Sequence, residues 1–209
     1  MVRVKICGIT REEDALVALE AGAHALGLVF YPGSPRYVDP HRARGLVMGT
    51  PPLVSWVGVF VDEPGERVVS LARHIGLDTL QLHGAEPPDV CRACLEEGFR
   101  VVKALRVATE RDLEGWEAYR GVVSALLLDT KVPGAYGGTG ETFPWELARR
   151  VRGIPVILAG GLTPEKVAQA VEVARPWGVD VSSGVEVAPG IKDPEKVRSF
   201  VTNAMKGGR

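Results

Sequence analysis

Cysteine is scarce: three residues in 209, at Cys7, Cys91 and Cys94, with no spacing that would make a disulfide framework. An odd number of thiols suits a reducing compartment. Met1-Val2-Arg3-Val4-Lys5 already alternates like a strand where a secretion signal would be apolar, so a cytoplasmic setting is expected. Excess charge is missing too. With 25 Lys+Arg against 26 Asp+Glu, the chain has no electrostatic footprint for nucleic acid or an acidic membrane, and any anion site must be local. No long apolar run occurs; the longest, near 122–128, falls far short of the roughly 20 residues a membrane helix needs. The four histidines lack metal-ligand spacing, and the single C-x-x-C at Cys91 and Cys94 has no second pair to complete a metal site. No Pro/Gly-rich linker divides the chain, which predicts one domain over 1–209.

What the chain does have is a repeat of form. Short apolar, β-branched runs at 2–7, 25–30, 53–60, 79–83, 100–105, 125–129, 156–158 and 177–181 are each followed by a helix-like stretch. Ala15, Ala18, Leu19 and Gly22 keep helical spacing, as do Val68, Leu71, Ala72 and Ile75, and Val167, Ala170, Val171 and Ala174. Asp39-Pro40, Thr163-Pro164 and Asp193-Pro194 each pair a capping side chain with proline at the first helical position, where its missing N–H costs nothing. Eight strands alternating with helices require a parallel sheet, and the count favours closure into a (β/α)₈ TIM barrel. A doubly wound open sheet is the rival, but neither G-x-G-x-x-G after the first strand nor a P-loop is present.

A closed barrel does its chemistry where the strands stop, and here those ends are polar. Cys7 ends the first strand, beside Gly8; a cysteine there is either a small buried hydrophobe or a base facing the mouth, where a lowered pKa would help proton transfer. Asp129 ends the most apolar strand, as a cap or as a general acid. Alternation puts Lys5 with Cys7, Gln81 with His83, and Leu127 with Asp129 on the inward face. Gly160-Gly161 after the seventh strand and Ser182-Ser183-Gly184 after the eighth either make tight turns or let a phosphate approach backbone N–H groups; two such loops on consecutive units favour phosphate. Gly138 and Gly140 belong to a third Gly-rich loop after the sixth strand. Arg36 sits in a proline-stiffened loop after the second, with a fork suited to a carboxylate.

Read in order, Lys5-Ile6-Cys7-Gly8-Ile9-Thr10, Phe30-Tyr31-Pro32-Gly33-Ser34-Pro35-Arg36-Tyr37-Val38, Gln81-Leu82-His83-Gly84, Leu128-Asp129-Thr130, Gly137-Gly138-Thr139-Gly140, Leu158-Ala159-Gly160-Gly161-Leu162 and Asp180-Val181-Ser182-Ser183-Gly184-Val185-Glu186 resemble the phosphoribosylanthranilate isomerases of tryptophan biosynthesis from end to end. The resemblance implies a cofactor-independent, metal-independent Amadori rearrangement of N-(5′-phosphoribosyl)anthranilate. It assigns Asp129 as general acid for ring opening and Cys7 as general base at C2′. It also implies that Arg36 meets the anthranilate carboxylate, that Gly138, Gly140, Gly160, Gly161, Ser182, Ser183 and Gly184 bind the phosphate, and that the chain is a monomer or a homodimer. Burial and the substrate's own negative charges favour the protonated acid this chemistry needs. Lys5 is expected to be a buried cation paired with Asp180, because first and last strands become neighbours on closure. Gln81 and His83 face the mouth without an assigned role. Other phosphosugar barrels, and a catalytically silent phosphate-binding barrel, are the competing readings.

Overall fold

The computed structural model describes residues 1–131 and 142–207. Eight parallel strands close in sequence order into a barrel: β1 (Arg3–Cys7), β2 (Ala25–Val29), β3 (Ser55–Phe60), β4 (Thr79–Leu82), β5 (Arg100–Val107), β6 (Ala125–Thr130), β7 (Val156–Leu158) and β8 (Gly178–Val181). Closure is made by β1 against β8, in a register that sets Lys5 opposite Asp180. After β8 the chain makes a short excursion, a 3₁₀ turn at Ser183–Val185 and a small hairpin of β9 (Glu186–Ala188) and β10 (Ile191–Lys192).

The strands are apolar on both sides because both are covered. The outward face packs against α1 (Glu12–Glu20), α2 (Pro40–Gly49), α3 (Gly65–Ile75), α4 (Pro88–Glu96), α5 (Val167–Ala174) and α6 (Pro194–Gly207), giving one continuous core between sheet and helices. Val102, Ala104, Ala125, Leu127, Ile157 and Ala159 form a second cluster inside the barrel, and a further cavity lined by Lys5, Val57, Thr79, Gln81 and Val102 among others opens at the amino ends of the strands. The helical stripes are buried as their spacing requires: Val167, Ala170, Val171 and Ala174 all lie in the core.

Two expectations about the helices need correction. The units after β5 and β6 do not carry α-helices among the described residues. Gly115 and Gly121, both left-handed, cut the first into 3₁₀ turns at Glu110–Leu113 and Trp116–Tyr119; the second has one at Trp145–Arg150, followed by left-handed Gly153 and by Pro155. Thr163-Pro164 does not open a helix either: 164–166 are a turn and α5 begins at Val167. Asp39 does cap α2, accepting from the N–H groups of His41 and Arg42 at 3.0 and 3.1 Å. Asp193 accepts from Glu195 and Lys196 at the start of α6, at 2.9 and 3.2 Å.

Candidate active site

The carboxyl ends of the strands meet in one polar cleft, lined by Cys7, Arg36, His83, Asp129, Gly160-Gly161 and Ser182-Ser183-Gly184 among others. Every described residue expected to act is therefore in one place. Gly138 and Gly140 lie outside the described residues. Strand parity explains the rest: Cys7, Gln81, Asp129 and Asp180 all occupy inward positions near the top of their strands, and all line the cleft.

Cys7 sits against Val29 and Val59, with Tyr31 packed beside them. Its neighbour across the strand pair is Gly27, where an added Cβ would come within 2.7 Å of the Cys7 sulfur; the missing side chain is what makes room for the thiol. Burial pushes the Cys7 thiol above its ordinary value, Lys5 pulls it down and Asp180 pushes it up again, with Lys192 also favouring the thiolate. The expectation of a lowered thiol pKa is thus reversed in the free chain, because desolvation outweighs the two lysines. Lys5 holds both oxygens of Asp180 at 3.0 Å, as closure of the barrel predicted. For Lys5, burial acts against the charge, but Asp180 and Cys7 more than offset it and the ammonium is stabilised.

Asp129 is buried and held from two directions. Its Oδ1 accepts from the N–H of Thr130 at 2.8 Å, and its Oδ2 lies 3.1 Å from His83 Nε2. The far side of that ring continues to Gln81, whose Nε2 is 2.8 Å from His83 Nδ1. Facing them is Gly160, with φ +80°, where a Cβ would meet the Thr130 nitrogen at 2.5 Å and Asp129 Oδ1 at 2.8 Å. The N–H groups of Gly160 and Gly161 have no acceptor among the described residues.

Arg36 reaches the cleft but is half occupied. Glu186 takes its Nε and Nη2 edge, at 2.9 Å for Nε and 2.7 Å for Nη2, and leaves Nη1 outside that pair in a side chain that lines the cleft. Behind this pair the fully buried ammonium of Lys192 contacts Glu186 at 2.8 Å, the carbonyl of Cys7 at 2.5 Å and that of Ser182 at 3.4 Å. Burial raises the cost of charge on Glu186, but Arg36 and Lys192 hold its carboxyl below the usual range. Glu186, Lys192 and the Gln81–His83 pairing were not singled out from the sequence. Glu186 stood in a quoted motif; nothing in the local pattern marks Lys192 as internal. Among the described residues, no group of three His, Cys, Asp or Glu could hold a metal ion.

A (β/α)₈ barrel whose mouth gathers a buried thiol, a buried carboxyl and open backbone donors defines a barrel enzyme built for proton transfer on a small anionic substrate. The sequence profile described as N-(5′-phosphoribosyl)anthranilate (PRA) isomerase matches residues 4–203, and the chain belongs to that family. It is 53% identical over 205 residues to the N-(5′-phosphoribosyl)anthranilate isomerase of Geobacter sulfurreducens, covering 98% of each chain. The crystal structure of phosphoribosyl anthranilate isomerase from Thermotoga maritima is similar with a TM-score of 0.90 and 47% identity, over 98% of this chain and 99% of that one. A crystal structure of the enzyme with reduced 1-(o-carboxyphenylamino)-1-deoxyribulose 5-phosphate aligns at 0.87 and 45% identity, over 98% and 99%.

Proposed function

We propose that this chain is an aldose–ketose isomerase, in class terms an intramolecular oxidoreductase, acting in the cytoplasm in tryptophan biosynthesis. It converts N-(5′-phosphoribosyl)anthranilate to 1-(o-carboxyphenylamino)-1-deoxyribulose 5-phosphate, with Asp129 as acid and Cys7 as base. The observation that carries this reading is the convergence of Cys7, Asp129, Arg36 and the two small-residue loops on one cleft. In the first step Asp129 gives its proton to the ring oxygen as the C1′–O bond breaks, and the nitrogen lone pair forms an iminium. The iminium acidifies C2′–H; Cys7 removes that proton, and the electron pair runs through C1′ to nitrogen to give an enolamine. Transfer of the 2′-hydroxyl proton to C1′ then gives the ketone. Acid and base finish with their protons exchanged and are reset through solvent.

Binding divides between the two ends of the substrate. The N–H groups of Gly160 and Gly161, with Ser182, Ser183 and Gly184 on the neighbouring loop, suit the phosphate dianion. The Nη1 side of Arg36 suits the anthranilate carboxylate, with the guanidinium plane fixed by Glu186. The test is anthranilate fluorescence, which decays when the purified chain meets freshly made substrate. Cys7→Ala and Asp129→Asn each lower kcat by about 10²–10⁴-fold with little change in substrate affinity. A variant with near-normal turnover would remove that residue from its role, and no decay with the wild-type chain would favour another phosphosugar barrel.

A further inference from the structure

The acid of a proton-transfer enzyme has two states, and whatever holds it must suit both. Taking Asp129 as that acid, as proposed above, its carboxyl must enter each turnover protonated and leave it ionised. The group against its Oδ2 is His83 Nε2, and the group against His83 Nδ1 is the Gln81 amide; Gln81 is almost wholly buried. A neutral imidazole donates from one nitrogen and accepts at the other, and a primary amide presents a donor or an acceptor according to which way its end is turned. With the Gln81 NH₂ toward Nδ1, that nitrogen accepts, Nε2 carries the hydrogen, and it donates to an ionised Asp129. Turned over, the amide oxygen accepts from Nδ1–H, and the proton of a protonated Asp129 is shared with Nε2, which accepts it as neutral imidazole or holds it as imidazolium. Each arrangement keeps both hydrogen bonds, so neither leaves a buried polar atom orphaned.

We propose that Gln81 and His83 are positioning residues for the acid: an end-over-end turn of the Gln81 amide, coupled to a change of His83 tautomer, gives Asp129 a matched partner both before and after it releases its proton. The site is built for such a turn. His83 lies at the mouth, one residue past β4, with its backbone N–H fixed to the carbonyl of Phe60 at 2.8 Å. The loop behind it is anchored by Lys103, whose ammonium takes the carbonyl of Gly84 at 2.7 Å and Glu86 at 2.8 Å, so the ring is held in place while its protons move. Other charged groups share the surroundings. Cys7 and Asp180 line the same mouth from β1 and β8, and Arg36 does so from the loop after β2. Arg106 stands opposite Asp129 in the β5–β6 register, and Asp62 closes the far side of the His83 loop through the Ala85 N–H.

The experiment is nitrogen NMR on ¹⁵N-histidine-labelled protein, with His83→Asn used to assign the signal among the four histidines. With the Gln81 NH₂ against Nδ1, His83 in the free chain is expected as the Nε2–H tautomer. It is expected to convert toward Nδ1–H on saturation with reduced 1-(o-carboxyphenylamino)-1-deoxyribulose 5-phosphate, whose negative charges favour the protonated acid. Gln81→Glu, which can only accept when ionised, fixes Nδ1–H throughout. Gln81→Met removes the preference, lowers kcat by about tenfold, leaves KM within about twofold, and moves the alkaline limb of the kcat profile, where the acid loses its proton. A single His83 tautomer in wild-type protein under every condition overturns the proposal, as does a Gln81→Met enzyme with an unchanged pH profile. Asp129→Asn separates the two failures: if it retains turnover, Asp129 is not the acid; if it is inactive while the tautomer stays fixed, only the coupling fails.

Discussion

Lys5 is the residue on which the state of Cys7, the proposed base, turns. Burial keeps the Cys7 proton on, and Lys5 is the largest charge working the other way, while Asp180, its ion-pair partner, works with burial. Lys5→Met should therefore push the thiol further up. In a profile of kcat/KM against pH, the limb that rises as Cys7 ionises moves to higher pH, so activity near neutrality drops and returns partly on the alkaline side. The same change strands the Asp180 carboxylate, 7% exposed, without its cation and lowers stability by about 3–5 kcal/mol. An unmoved profile in a folded variant would show that Lys5 does not act on the thiol. This pair was readable beforehand because it needs only strand alternation and the rule that a closed sheet pairs its first and last members. Glu186 and Lys192 were not, because they come from a hairpin after β8 whose path back under Arg36 depends on tertiary packing. The direction of the Cys7 shift was also out of reach, since position along a strand reveals orientation but not the balance between desolvation and charge.

Helices and strands differ in how much they disclose. The eight strands fall within two residues of their expected limits at every end, because a barrel buries both faces and each strand must read as an apolar run. Helix starts were legible where a side chain really caps. Asp39→Ala and Asp193→Ala should each cost about 1 kcal/mol, seen as a lower urea midpoint with an unchanged slope. Thr163→Ala should cost less than about 0.5 kcal/mol, because no α-helix opens at Thr163; its hydroxyl instead bonds the Glu165 carboxylate and helps hold that carboxyl below the usual range. A full cap-sized loss at Thr163 would mean that α5 begins there after all. The same Thr-Pro pair misleads in sequence because proline sets φ for a turn as readily as for a helix.

The whole chain carries its three thiols inside, all of them free and buried. Burial raises each of them, and raises Cys91, on the buried face of α4, to about 12 from an ordinary 9.0. Between those two values the unfolded chain releases a proton that the folded chain keeps, so folding loses ground as pH rises, by about 1.4 kcal/mol per pH unit for such a thiol. The urea midpoint should fall steadily above about pH 9, and Cys91→Ala should flatten part of that fall. A midpoint that stays level would mean these thiols ionise as freely inside as outside.

Lys192 gives the molecule a common node. Its single ammonium touches the backbone of Cys7, the proposed base, the backbone of the Ser182 loop and the carboxylate paired with Arg36. Substitutions at the two ends of the cleft therefore share a support, and their energetic effects should not simply add. Redirecting this scaffold to a substrate without the aromatic acid would require retuning the base in the same round, since the two are wired to one charge.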